Sequence, residues 1–161
     1  MNGAQLLDRL LYRDGLILVV DKPAGIAVHP PPGGGEALEN YFDVLRFGLP
    51  RRPALAHRLD RATSGCLVLG RHPKALRKLG KLFSSGGVKK SYWAVVAKLP
   101  PEPKGLIDQP LLKKAEGNHR WRMVVDPMGK PSQTQYRLLG EGGGGYWLEL
   151  TPLTGRTHQL R

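Results

Sequence analysis

His57-Arg58-Leu59-Asp60-Arg61-Ala62-Thr63-Ser64-Gly65 is fed by Ala54 to His57 and left by an apolar run that reads as a strand, Cys66-Leu67-Val68-Leu69. The stretch is therefore read as a loop. It holds one carboxylate, Asp60, between two guanidinium groups, Arg58 and Arg61. A nearby opposite charge favours the ionised form of an acid, so Asp60 is expected to be deprotonated near neutral pH. That state suits a nucleophile or an electrostatic stabiliser, and it does not suit a general acid. Structural ion pairs have the same charge context, so charge alone does not separate the two readings.

Outward from the loop the chain continues as many short strands with a few helices. Toward the N-terminus, Leu6, Leu7, Leu10 and Leu11 have helical spacing, a capping helix or a frayed end. Asp14-Gly15 marks a turn, Leu16 to Val20 a buried strand, and Ala24 to His29 a turn and a second strand. Leu38, Tyr41, Phe42 and Leu45 share one face of a helix over Glu36 to Phe47, stopped by Gly48-Leu49-Pro50. Toward the C-terminus, Pro73 to Phe83 reads as a second helix with Leu76, Leu79 and Phe83 inward and Lys74, Arg77, Lys78 and Lys81 outward. Strands are expected at Val88 to Ala97, Leu106-Ile107, Arg120 to Val125, Gln133 to Leu139 and Tyr146 to Pro152, with Gly140 to Gly145 as a flexible hairpin loop. The pattern predicts an α+β fold, a mostly antiparallel mixed sheet with a few flanking helices, in a single domain over 1–161.

The chain has 161 residues, enough for one domain with a real core. Lys plus Arg number 25 against 13 Asp plus Glu, a net charge of +12. With a pI of about 10.2 an anionic partner is expected, RNA or DNA before a membrane surface. No run is long enough to span a bilayer, and Asp8, Arg9, Arg13 and Asp14 among the early leucines are unlike a secretory signal. Cys66 is the only cysteine, so no disulfide forms within one chain and a reducing, cytoplasmic setting fits. In its apolar run Cys66 reads as a small core residue rather than a thiol catalyst. Lys113, Lys114, His119, Arg120 and Arg122 surround Trp121 in an expected basic loop. Charge for phosphate and a flat ring for a base make Trp121 and Arg120 RNA-binding candidates.

Other motifs fall away. Gly140 to Gly145 satisfies G-x-G-x-x-G only because it is nearly all glycine, and a strand, not a helix, follows it. His-Arg-Leu-Asp differs in order from the kinase catalytic loop, with no Asp-Phe-Gly downstream. Ser64 is not in a Gly-x-Ser-x-Gly elbow. The five histidines lack metal-ligand spacing, so they are not expected to hold a metal.

His57-Arg58-Leu59-Asp60, then two residues, then Thr63-Ser64-Gly65 resembles the active-site motif of the RluA-type pseudouridine synthases. Three more segments resemble that family in the same order: Asp21 to Gly25 with Val28-His29-Pro30, Lys90 to Val96, and Thr154 to Arg161. The resemblance implies an RNA uridine isomerase with a pseudouridine synthase-like catalytic fold. The family's domain continues past the arginine motif, so the chain is expected to be truncated at its C-terminus, with weak or no activity at that length. The resemblance makes Asp60 the catalytic nucleophile or base, Tyr92 the ring that stacks on the target base, and Arg161 the cation that pairs with Asp60. Arg58 fills the gap left by the flipped uridine; His57 shapes the loop; Arg61, Thr63 and Arg156 join the RNA-contacting set. The partner implied is ribosomal or transfer RNA, bound by a monomer without cofactor. The alternative is a basic RNA-binding module without turnover.

Overall fold

The computed structural model describes residues 1–117 and 121–161. They form two compact units, Met1–Gly87 and Val88–Arg161. Both are built from antiparallel sheets, and helices are few, so the chain is α+β. The strands are distributed over two four-stranded sheets and one two-stranded sheet among the described residues.

In the first unit, helix α1 (Gly3–Leu7) is capped by Asn2, whose Oδ1 accepts the Gln5 N–H at 2.9 Å. The helical spacing of leucines does not continue. Leu10–Arg13 is strand β1, antiparallel to β2 (Ile17–Lys22). Asp14 Oδ1 accepts the N–H groups of Leu16 and Ile17, both at 2.7 Å, and closes the turn between them. A helix this short is marginal alone, and ladder pairing with β2 outweighs it. The sheet order is β1-β2-β4-β3, with β3 at Ala54–Leu55 and β4 at Gly65–Gly70.

Period-2 alternation turns Leu18 and Val20 of β2 and Leu67 and Leu69 of β4 inward, all fully buried. Leu6, Leu38, Phe42 and Leu45 complete this core. The last three lie on a 3₁₀ helix, Leu38–Leu45, shorter and tighter than the expected α-helix. It is ended by two left-handed residues, Phe47 (φ 46°) and Gly48 (φ 83°). Ala24 to His29 is not a strand. Its carbonyls are used at the helix entry instead, Ala27 by the Leu38 N–H and Val28 by the Glu39 N–H. Cys66 is exposed, because the alternation that buries Leu67 and Leu69 faces it outward. Helix α2, Pro73–Ser84, starts at His72, whose Nδ1 accepts the Ala75 N–H at 3.3 Å.

In the second unit, β5 (Tyr92–Val96), β6 (Lys104–Asp108), β9 (Gln133–Gly142) and β10 (Gly145–Pro152) form a sheet ordered β5-β10-β9-β6. The glycine-rich stretch is not a floppy loop. Strands run to its edges, and only Gly143 and Gly144 turn the chain, with φ 62° and 79°, the left-handed pair of a tight hairpin. Lys113 and Lys114, expected in a loop, lie on β7 (Leu111–Ala115), which pairs with β8 (Trp121–Val125).

Candidate active site

Asp60 sits on a loop whose two ends are built differently. At the entry, β3 pairs with β4, and Ala56 N–H donates to the Val68 carbonyl at 3.1 Å. The next acceptor is a side chain: His57 Nε2 accepts the Val68 N–H at 3.0 Å. An imidazole that accepts at Nε2 is neutral, with its proton on Nδ1. Its ring stacks on Phe83, centroids 4.6 Å apart. His57 therefore ends the ladder and holds the loop entry. Leu59 is buried and anchors the loop between exposed Arg58 and half-buried Asp60. The Thr63 N–H donates to the Asp60 carbonyl at 3.0 Å, a four-residue turn. At the exit Gly65 has φ 113°, a conformation side chains rarely adopt.

The loop is stitched to the turn after β2. Gly25 N–H donates to the Arg61 carbonyl, and Arg61 Nε donates to the Gly25 carbonyl, both at 2.8 Å. Two segments that the sequence presents 36 residues apart are one structure. Beneath them lies Lys22, fully buried, opposite Gly65 in the β2–β4 ladder. Its Nζ donates to the carbonyls of Pro23 (2.9 Å), Ile26 (2.8 Å) and Arg61 (3.3 Å). An ammonium has three donors, and all three are used. Burial pushes Lys22 below the ordinary lysine range, and the Asp60 carboxylate partly restores it.

This corrects the charge reading of the loop. Among the described residues no ion pair within 4 Å joins Asp60 to Arg58 or Arg61. The Arg61 guanidinium serves Gly25. The buried cation acting on Asp60 is Lys22, which sequence reasoning treats only as the end of a strand. A signal is present: Lys22 continues the inward series Leu18, Val20 at period 2, and a lysine on a buried face needs partners.

The second unit carries the other expected residues. Tyr92 opens β5 opposite Leu150, half-buried, on the strand face shared with Ala94 and Val96. After β10, Thr154 to Arg161 is folded onto β9 by Gln159. Its Nε2 donates to the Gln133 carbonyl (3.0 Å) and Thr134 Oγ1 (2.9 Å), and its Oε1 accepts from Thr154 Oγ1 and the Arg156 N–H, both 2.8 Å. Sequence reasoning gives Gln159 no role. Arg156 is exposed, its Nε donating to the Pro131 carbonyl at 2.8 Å. Arg161 is exposed, and its N–H donates to the His158 carbonyl at 3.1 Å.

Trp121 is not an open platform. His158, left-handed at φ 53°, stacks on it at 5.1 Å and 7° between planes, and the Lys113 ammonium lies 4.4 Å from the ring centroid. Two side chains of its own unit engage the ring that was expected to take a base. Arg120 lies outside the described residues. Among the described residues no three His, Cys, Asp or Glu side chains are gathered to hold a metal ion.

Residues 16–161 match the RNA pseudouridylate synthase family. Over 156 residues the chain is 46% identical to an uncharacterised RNA pseudouridine synthase of Zymomonas mobilis, covering 97% of this chain and 71% of that protein. It is 38% identical to ribosomal large subunit pseudouridine synthase C of Buchnera aphidicola, covering 99% of this chain and 51% of that one. Among solved structures it resembles human RNA pseudouridylate synthase domain containing 4, with a TM-score of 0.81 and 27% identity over 99% of this chain and 64% of the human one.

Proposed function

We propose that this chain, which belongs to the RNA pseudouridylate synthase family, isomerises uridines of ribosomal or transfer RNA to pseudouridine with Asp60 as nucleophile or base. The reaction breaks the N1–C1′ glycosidic bond and makes a C5–C1′ bond to the same base; C5 gives up a proton and N1 gains one, so no redox partner is needed. An ionised carboxylate beside C1′ serves it either by covalent attack or by taking a sugar proton on the way to a glycal. The observation that carries the reading is the Asp60 loop, held at both ends and underlaid by the buried Lys22 ammonium. Such a mounting holds a carboxylate still, which catalysis needs.

A uridine inside folded RNA has to leave its stack, at a cost of a few kcal/mol. Arg58, exposed on the loop beside Asp60, is the residue we assign to the vacated space. We assign Tyr92 to stacking on the extruded base, Arg161 to pairing with the carboxylate, and Arg61, Thr63, Arg156 and Arg120 to RNA contact, with Trp121 joining them through the part of its ring that His158 and Lys113 leave exposed. The protein works in the cytoplasm as a monomer. The test is Asp60→Asn with transcribed RNA, pseudouridine being counted by mass spectrometry. Product should fall at least about a thousandfold, the scale on which a reacting carboxylate contributes. Undiminished product refutes the assignment. Salt-sensitive RNA binding by the unaltered chain without any product supports the non-catalytic RNA-binding module instead.

A further inference from the structure

A second feature of the first unit lies at the other end of β4 from Asp60. The strand runs from Gly65, where the Asp60 loop enters, to Gly70, a distance of about 17 Å at a strand rise of ~3.3 Å per residue. Beside Gly70 is a cavity of about 390 Å³. Its apolar surface comes from Leu49, Pro50, Pro73 and Leu76, and its cations from Arg51, Arg52 and Arg71. That combination, an apolar floor with a few converging polar groups, is what small ligand sites share.

The walls are fixed without any ligand. Arg46 Nη1 donates to the Pro50 carbonyl at 3.2 Å, and the Leu49 N–H donates to the Arg46 carbonyl at 3.1 Å. Arg71 is held by three backbone carbonyls: its N–H reaches Leu16 at 2.9 Å, Nη1 reaches Asp14 at 2.6 Å, and Nη2 reaches Arg46 at 3.4 Å. Its Nε is buried with no hydrogen-bond partner. A buried donor left unmet is costly and calls for an acceptor. Arg52 reaches the Glu39 carbonyl, and Arg51 has no ion pair among the described residues. Two carboxylates that share a surface with Arg51 and Arg52 are engaged, Asp43 by Arg46 and Glu39 by His29. Asp14, which feels Arg71, takes the N–H groups of its own turn. The cavity rim is thus net cationic.

We propose that this cavity binds a nucleotide of the RNA a few positions from the target uridine, its phosphate on Arg51 and Arg52 and its base on the apolar floor. The proposal rests on the RNA-modifying function above and deepens it: the Asp60 loop performs the chemistry, and this cavity sets which stretch of strand lies across β4. A guanidinium holds phosphate by paired hydrogen bonds, and a base lies against apolar or guanidinium planes without sequence preference.

The test uses the whole chain, ¹⁵N-labelled, titrated with uridine 5′-monophosphate, with inorganic phosphate, and with a short single-stranded uridine-rich RNA. Amide shifts at Arg52, Gly70, Arg71 and His72 are expected with the nucleotide and the RNA, weaker with phosphate alone. Arg51→Ala with Arg52→Ala removes them and leaves melting unchanged, since both side chains are exposed. The slope of log affinity for the RNA against log salt becomes shallower by about 0.7 for each phosphate that the variant no longer neutralises. Should the double variant melt early, Arg51→Gln alone gives the same readout. Shifts confined to residues 57–65, with the cavity silent, overturn this inference and leave the proposed function standing. No RNA binding anywhere overturns both. Equal shifts from phosphate and nucleotide overturn the base-binding part.

Discussion

The Lys22 ammonium donates to the Arg61 carbonyl across 39 residues of sequence, and with the two hydrogen bonds between Gly25 and Arg61 it joins the turn after β2 to the loop that carries Asp60. The lysine is fully buried, yet its charge is not stranded, because three carbonyls surround it and a carboxylate stands near. It is the residue on which the geometry of the proposed active loop depends most directly.

Lys22→Met keeps the stem and removes the donors. The Pro23 and Ile26 carbonyls then lose their donor, while the Arg61 carbonyl keeps the Gly25 N–H, at a cost on the order of 1–3 kcal/mol for a group left unsatisfied. The melting temperature should fall by several degrees. Alkaline pH separates charge from packing. The folded-state pKa of Lys22 lies below the ordinary lysine value of 10.5. In the window between the two, the unfolded chain holds a proton that the folded chain has released. Stability from this group therefore rises with pH there, and the charged state is penalised below it. Denaturant midpoints measured across that window should show this rise in the wild type and lack it in Lys22→Met.

His57→Ala removes the acceptor that meets the Val68 N–H and the ring that stacks on Phe83. A destabilisation of about 1–3 kcal/mol is expected from the orphaned donor, and the missing ring stack adds to it. Hydrogen exchange at the Val68 amide reports the specific effect. An amide that stays as protected as in the wild type would show that the imidazole is not its partner.

Gln159→Leu strips four hydrogen bonds from the segment after β10 at once. The expected destabilisation is about 2 kcal/mol, because the Arg156 N–H and the buried Thr134 hydroxyl lose Gln159 as partner, while the Gln133 carbonyl keeps the Leu153 N–H. Gln159→Glu keeps the acceptor and loses the donors, so its effect should be intermediate. Amide shifts of Arg156 and Arg161 locate the damage. Unmoved shifts in Gln159→Leu would mean that the turn stands without the network.

Several features are legible from residue types alone. The apolar run at Leu67 and Leu69, the Pro73 helix start and the strand at Gln133 follow from local rules of period and capping, and the structure has them. The loop from His57 to Gly65 is recognisable because its residue types are dense and ordered. What local rules miss is whatever depends on a partner distant in sequence. Leu10–Arg13 has helical spacing but pairs with β2. Val28 looks like strand, but the 3₁₀ helix takes its carbonyl. Trp121 looks open for a base, but His158, 37 positions on in the numbering, stacks on it.

By itself the sequence determined the sign of the charge, the alternation that builds each sheet, and the membership of Asp60 in a loop that a strand leaves. These are properties of neighbours in the chain, within reach of period and composition. Only the tertiary structure decided that a buried lysine lies within electrostatic reach of Asp60. Arg58 and Arg61 are close to it in sequence, but it is the strand pleat that buries Lys22, and a buried charge acts more strongly than an exposed one because no water screens it.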